Sequence, residues 1–211
     1  MGRKPRIDIP DYVYHITARG NYRQNIFLNE DDKGLYLDIL ALYQAKYAFE
    51  LYSFVLMDNH VHLLLKRPQE TALSKIVKSL HSTYAREHNF RIKRHGHLFQ
   101  GRFHAIVVEN DSYLLELSRY IHLNPVRAGM VSDPAAYPFS SAQTYLGYAY
   151  MPYVNKMILT GLAKRPKTQQ ERYRRFLLEG IAMGKGPLAD VKEGLFLGSD
   201  EFVSSIRQIG K

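Results

Sequence analysis

Residues 49–66 read FELYSFVLMDNHVHLLLK. Two apolar runs rich in β-branched and aromatic residues, 49–57 and 60–66, flank the polar pair Asp58-Asn59. This is the pattern of two strands joined by a tight hairpin turn. Within the second strand His60 and His62 lie two residues apart and therefore share one face, while Val61 points into the opposite layer. Aliphatic side chains would pack better at both positions, so the pair raises a question of chemistry.

Outward from the hairpin, the pattern predicts an ordered series of elements. Upstream, YVYHIT (12–17) alternates as a strand and is closed by the loop ARGNYRQ, and 29–47 forms an amphipathic helix with Leu35, Ile39, Leu42 and Tyr43 on its apolar face. Downstream, Leu73, Ile76, Val77, Leu80 and Tyr84 mark a helix over 71–90, with Thr71 as its cap. A basic stretch, RIKRHGH (91–97), leads to a strand over 102–109. A third helix follows over 110–129, capped by Asn110 or Asp111 and ended near Asn124 by Pro125. The order β-α-β-β-α-β-α predicts an α+β, ferredoxin-like antiparallel sheet with packed helices and the hairpin strands at its centre. From about residue 138 the chain becomes Tyr- and Gly-punctuated, and helical segments are expected around 168–181 and 199–208. We therefore divide the chain into a core at 1–137 and a mainly helical extension at 138–211, which packs on the core or contacts a partner.

The 211 residues are 45% hydrophobic, enough for a substantial core. Lys and Arg number 29 against 20 Asp and Glu, a net charge of +9 that favours a polyanionic partner such as nucleic acid. No cysteine is present, which excludes disulfides, thiolate metal sites and cysteine nucleophiles. MGRKPRIDIP lacks the apolar core of a signal peptide, and no apolar run reaches membrane-spanning length. A cytoplasmic protein with no membrane partner is expected.

Two imidazoles converging from one strand can clamp a divalent cation, although two buried structural histidines would give the same pattern. A cation would need a further oxygen donor. At about 100° per residue Glu116, Tyr120 and Asn124 form one stripe of the third helix, so Asn124 could offer a carbonyl oxygen beside Tyr120. Tyr113 falls near the same face about 10 Å away, with Leu117 rather than an amide at its own i+4 position. Both tyrosines could equally be core aromatics.

DNHVHLLLK, HGHLFQGRFHAIVVEND and YLLELSRYIHLNPVRAGMV, with HITARGNYRQNIF near the start, resemble the tyrosine transposases of single-strand insertion sequences. The likeness covers about residues 8–146 and is strongest to the branch of REP-associated tyrosine transposases. In that family a histidine-hydrophobe-histidine motif binds Mg²⁺ or Mn²⁺ and a helix tyrosine attacks DNA, which implies His60 and His62 as metal ligands and Tyr120 as nucleophile. The insertion-sequence members carry a glutamine as third ligand four residues after the tyrosine. Here Asn124 stands there, one methylene shorter.

The resemblance implies a transposase that nicks single-stranded or hairpin DNA, forms a 5′-phosphotyrosine with a free 3′-OH, and transfers the strand without ATP. A phenol needs help to lose its proton, and a divalent cation would polarise the scissile phosphate. Arg19, Asn21, Arg23, Arg91, Lys93, Arg94, Arg102 and Arg127 are candidate DNA contacts, and Tyr22 or Phe99 could stack on an unpaired base. Insertion-sequence relatives act as dimers, whereas the REP-associated branch can act as a monomer, the state expected here. Two other readings remain open from sequence: a non-catalytic nucleic-acid-binding regulator on the same fold, and a metal phosphodiesterase that uses water.

Overall fold

The computed structural model describes residues 7–109, 112–183 and 186–209. Strand β1 (Val13–Arg19), helix α1 (Glu30–Tyr47), strands β2 (Glu50–Met57) and β3 (His60–Lys66), helix α2 (Leu73–Arg91), strand β4 (His104–Val108) and helix α3 (Ser112–His122) follow in the expected sequence. Then come the short helices α4 (Asn124–Arg127) and α5 (Ala142–Leu146), helix α6 (Pro166–Ile181), the two-residue strand β5 (Phe196–Leu197) and helix α7 (Asp200–Ile209). The fold is α+β, as the pattern predicted.

The sheet order is β2-β3-β1-β4-β5, with β5 added in parallel to β4. The hairpin is thus not central as a unit: β3 lies inside, but β2 is an edge strand. Its edge is covered by the chain's own later segment, through Leu56 N to Phe139 O (2.9 Å), Ser141 N to Phe54 O (3.1 Å) and Asn155 N to Leu51 O (2.7 Å). Covered in this way, β2 buries nearly every residue and so reads in sequence like an interior strand.

Alternation along β3 sorts two apolar layers. Val61, Leu63 and Leu65 join Tyr36, Leu40, Ile76, Leu80 and Tyr84 of α1 and α2 on one face. Leu64 joins Val55, Ile106 and Val108 against Leu114, Leu117 and Ile121 of α3 on the other. His60 and His62 belong to this second, α3-covered face.

Several local expectations are corrected. In α1, Tyr36, Ile39 and Leu40 are buried but Leu42 is exposed, because it sits about 200° around the helix from Leu40. Thr71 does not cap α2. The N-cap position is Ala72, and the orphan Leu73 N–H donates instead to Asp8 Oδ1 at 3.1 Å, a partner 65 residues away. Helix α3 stops at His122, two residues before Asn124, and Pro125 opens α4 rather than closing α3. Pro125 has no N–H to donate to Ile121, yet it fits a first helical turn. The caps expected at Asn110 or Asp111 lie outside the described residues.

Candidate active site

Register places the site. Across β1 and β3, Arg19 pairs with His60 and Thr17 with His62, and Thr17 also pairs with His104 of β4. Directly paired residues share a face, so these side chains crowd one end of the α3-covered surface. His62 is buried, and its Nδ1 lies 2.8 Å from His15 Nε2 and 3.3 Å from Thr17 Oγ1. The rings of His15 and His62 lie parallel, 5.0 Å apart. His60 Nδ1 lies 2.6 Å from Asn59 Oδ1, whose amide nitrogen is in turn held by Arg23 O at 3.3 Å. Both Nδ1 atoms are therefore engaged, and neither Nε2 has a protein partner among the described residues.

Burial keeps the cluster neutral. It lowers His60 to about 4, aided by the Arg19 cation, and takes His62 well below the usual imidazole range, with His15, His60 and Arg19 adding to the effect. His15 is pushed down to about 3 by burial and by nearby His104. Neutral imidazoles whose Nδ1–H is given to a neighbour keep the Nε2 lone pair free, which is how metal-binding histidines are oriented. The donor chemistry fits a divalent cation. Among the described residues no three His, Asp or Glu side chains gather as a metal site, so the pair would need a different donor to complete a shell.

Helix α3 brings Tyr120 over this cluster. Its ring meets His62 edge-on at 5.7 Å and His15 at 6.4 Å. The Arg127 guanidinium lies 5.4 Å from the ring centre. Asn124 Nδ2 donates to Tyr120 O at 2.9 Å, which leaves Oδ1 without a protein partner among the described residues, and Asn124 makes no hydrogen bond to either histidine. Tyr113 packs in the apolar layer with no ring contact to the histidines, and Glu116 is ion-paired to Arg119.

A family model described as "Transposase IS200 like" matches residues 8–124. The chain belongs to the IS200-like transposase family. A Haemophilus influenzae protein provisionally named a REP-associated tyrosine transposase is 24% identical over 148 residues, which cover 62% of this chain and 84% of that protein. A solved REP-associated tyrosine transposase bound to a REP hairpin superposes with a TM-score of 0.59 at 16% identity, covering 74% of this chain and 99% of the other, and so shares the fold. A structure from Deinococcus radiodurans provisionally named a transposase has a TM-score of 0.40 at 21% identity, covering 62% and 91%.

In this IS200-like transposase the candidate DNA contacts fall in three places. Arg19 is exposed beside His60, and Asn21 and Arg23 belong to a tight turn held against the hairpin by Gly20 N to Asn59 O and against the 98–100 segment by Asn21 N to Leu98 O, both 2.9 Å. Tyr22 in that turn is 91% exposed, and both Tyr22 and Arg23 adopt left-handed backbone angles, φ 51° and 61°. Arg91 ends α2, Lys93 and Arg94 follow it, and Arg102 stands exposed before β4, none of them hydrogen-bonded to His60 or His62. Arg127 is at the tyrosine.

Sequence reasoning missed His15, Thr17, Asn59 and His104. The alternation in YHIT already sets His15 and Thr17 on one strand face. Only the pairing of β1 with β3 shows that this face is the one bearing His60 and His62.

Proposed function

We propose that this chain is a metal-dependent single-strand DNA nicking and strand-transfer enzyme that acts at hairpin-containing DNA. The observation that carries the reading is the phenol of Tyr120 lying against His62 while the Nε2 atoms of His60 and His62 stay free. In the proposed reaction Tyr120 Oη bonds to the scissile phosphorus and gives up its proton. The bond from phosphorus to the 3′ oxygen breaks, and that oxygen takes up a proton as a free 3′-OH. The 5′ end stays on Tyr120 until another 3′-OH reverses the step.

His60, His62 and Asn124 Oδ1 would hold Mg²⁺ or Mn²⁺, which when bound supplies charge to the phosphate oxygens. His15, Thr17 and Asn59 keep the two imidazoles oriented. Arg127 offers a cation to phenolate and phosphate, and Arg19, Asn21, Arg23, Arg91, Lys93, Arg94 and Arg102 hold the strand. We assign these roles to a catalytic region at 1–137 and a supporting extension at 138–211. A REP hairpin, the ligand of the structural relative, is the first substrate to try. The edge of β2 is capped by the chain's own 139–155 segment, which favours a monomer, and light scattering on the purified protein checks this.

End-labelled hairpin oligonucleotides incubated with Mg²⁺ or Mn²⁺ and run on denaturing gels test the reading. A protein-linked 5′ end with a free 3′-OH is expected. Cleavage without adduct would instead assign a water-using phosphodiesterase, and binding without cleavage a regulator.

A further inference from the structure

On the opposite face of the sheet from the histidines, a cleft of about 410 Å³ opens between α2 and the 96–103 segment. That volume lies within the range of small-molecule sites, about 300–1,000 Å³. Two i, i+4, i+8 stripes of α2 line it: Ser74, Lys78 and Ser82 are exposed at the rim, and Val77, His81 and Ala85 form the deeper wall. Phe99 stacks on His81 with centroids 4.4 Å apart and planes within 21°, and His81 is pinned by Tyr36 Oη at 3.1 Å from its Nε2. Lys78 and Arg102 supply positive charge, and among the described residues no acidic side chain lines the cleft.

We infer that this cleft receives one unpaired nucleobase of the bound DNA strand, stacked at Phe99, with its phosphate on Arg102 and Lys78. A rigid aromatic ledge between cations, free of carboxylates, is the chemistry that accepts a base of any sequence together with its phosphate. The backbone ties the cleft to the nicking site. Gly20 forms a β-bridge with Phe99, and Gln100 N donates to Arg19 O at 2.8 Å, while Arg19 is paired on its other side with His60. Two strand spacings, about 10 Å, separate Phe99 from His60. A strand rising about 3.4 Å per nucleotide crosses that lip in roughly three nucleotides. A base near the scissile phosphate can thus lodge on the far face of the sheet and hold the strand in register.

This subsite rests on the DNA-nicking reading, and its test separates the two. A DNA hairpin with single-stranded arms of 4-thiothymine is bound to the full chain, irradiated and digested with trypsin. Crosslinks are expected on HGHLFQGR, the peptide carrying Phe99, and Ser82→Trp, an exposed position that fills the cleft, should abolish them and weaken binding about tenfold with an unchanged circular dichroism spectrum. Crosslinks only elsewhere, for example on GNYR with Tyr22, overturn the subsite while leaving the nicking reading intact. The same crosslink from thymidine monophosphate alone makes the cleft a free-nucleotide site and overturns the strand assignment. No binding of the hairpin overturns both readings.

Discussion

At the scale of single residues, the two tyrosines of α3 separate by their surroundings. Tyr120 meets two neutral imidazoles and an arginine, whereas Tyr113 packs against the apolar cluster of that face with no ring contact to either imidazole. Tyr120→Phe removes only the hydroxyl, so folding and DNA binding should persist while strand cleavage is lost. Tyr113→Phe should cleave nearly as well as the parent. Trypsin releases Tyr120 at the start of YIHLNPVR, apart from the peptide holding Tyr113, and mass spectrometry of the covalent complex decides between them. His15 makes a second case. It accepts the Nδ1–H of His62 in the tautomer that leaves Nε2 for a cation, and such partners are worth about 10- to 100-fold in metal affinity. His15→Leu should weaken Mn²⁺ binding by that factor in calorimetric titration, and His15→Gln, which can still accept, should recover part of it. Equal affinity in His15→Leu and the parent would leave His15 a packing residue.

The elements differ in how openly they declare themselves. The hairpin is written in its own sequence, because two apolar runs around Asp58-Asn59 need nothing distant to be recognised. What holds the turn rigid is distant: Asp58 O accepts from Ile26 N (2.8 Å) and Phe27 N (3.1 Å), and its carboxylate pairs with buried Lys33 at 2.7 Å. Burial alone would lower the Lys33 ammonium, but the hydrogen bonds it donates to Asp58 and Tyr137 hold it above its ordinary value, so the ion pair persists. The loop before this support depends on Gly20. A Cβ there would fall 2.1 Å from Gln24 O, so Gly20→Ala must displace the Asn21–Arg23 turn. Overpacking of this kind, which forces backbone shifts, costs about 1–3 kcal/mol. Weakened hairpin-DNA binding in a mobility-shift assay, with the sheet retained by circular dichroism, is the expected result. Unchanged binding would remove this loop from the DNA surface.

For the whole molecule, the extension is part of the core. Tyr145, Leu159, Tyr173, Leu177, Val203 and Ile206 belong to the same continuous apolar cluster as the buried residues of α1 and α2, and buried His122 of α3 bridges Tyr173 Oη and Ser141 Oγ, each at 2.7 Å. The backbone at Gly186 lies on the Tyr120 ring, where an added Cβ would come 2.7 Å from Cδ2. Burial pushes His15, His81 and His122 each down to about 3. The unfolded chain takes up protons below about pH 6.5 that these folded histidines refuse until about 3. Stability should therefore fall as pH drops from about 6.5 towards 3, by up to about 1.4 kcal/mol per pH unit for each histidine. Thermal midpoints measured at pH 7 and pH 5 check this, and equal midpoints would mean that these imidazoles are not held neutral.

By itself, the sequence determined the element order, the antiparallel hairpin, the shared face of His60 and His62, and the i+4 spacing of Tyr120 and Asn124. Each of these follows from a local period of two or 3.6 residues. The tertiary structure alone decided that β2 is an edge strand sheltered by residues 139–155 and that Asp8 caps α2. It also decided that His15 and Thr17 stand behind His62 and that Gly186 lies on the tyrosine ring. Those relations join positions tens of residues apart through pairing and packing, and no local period encodes them.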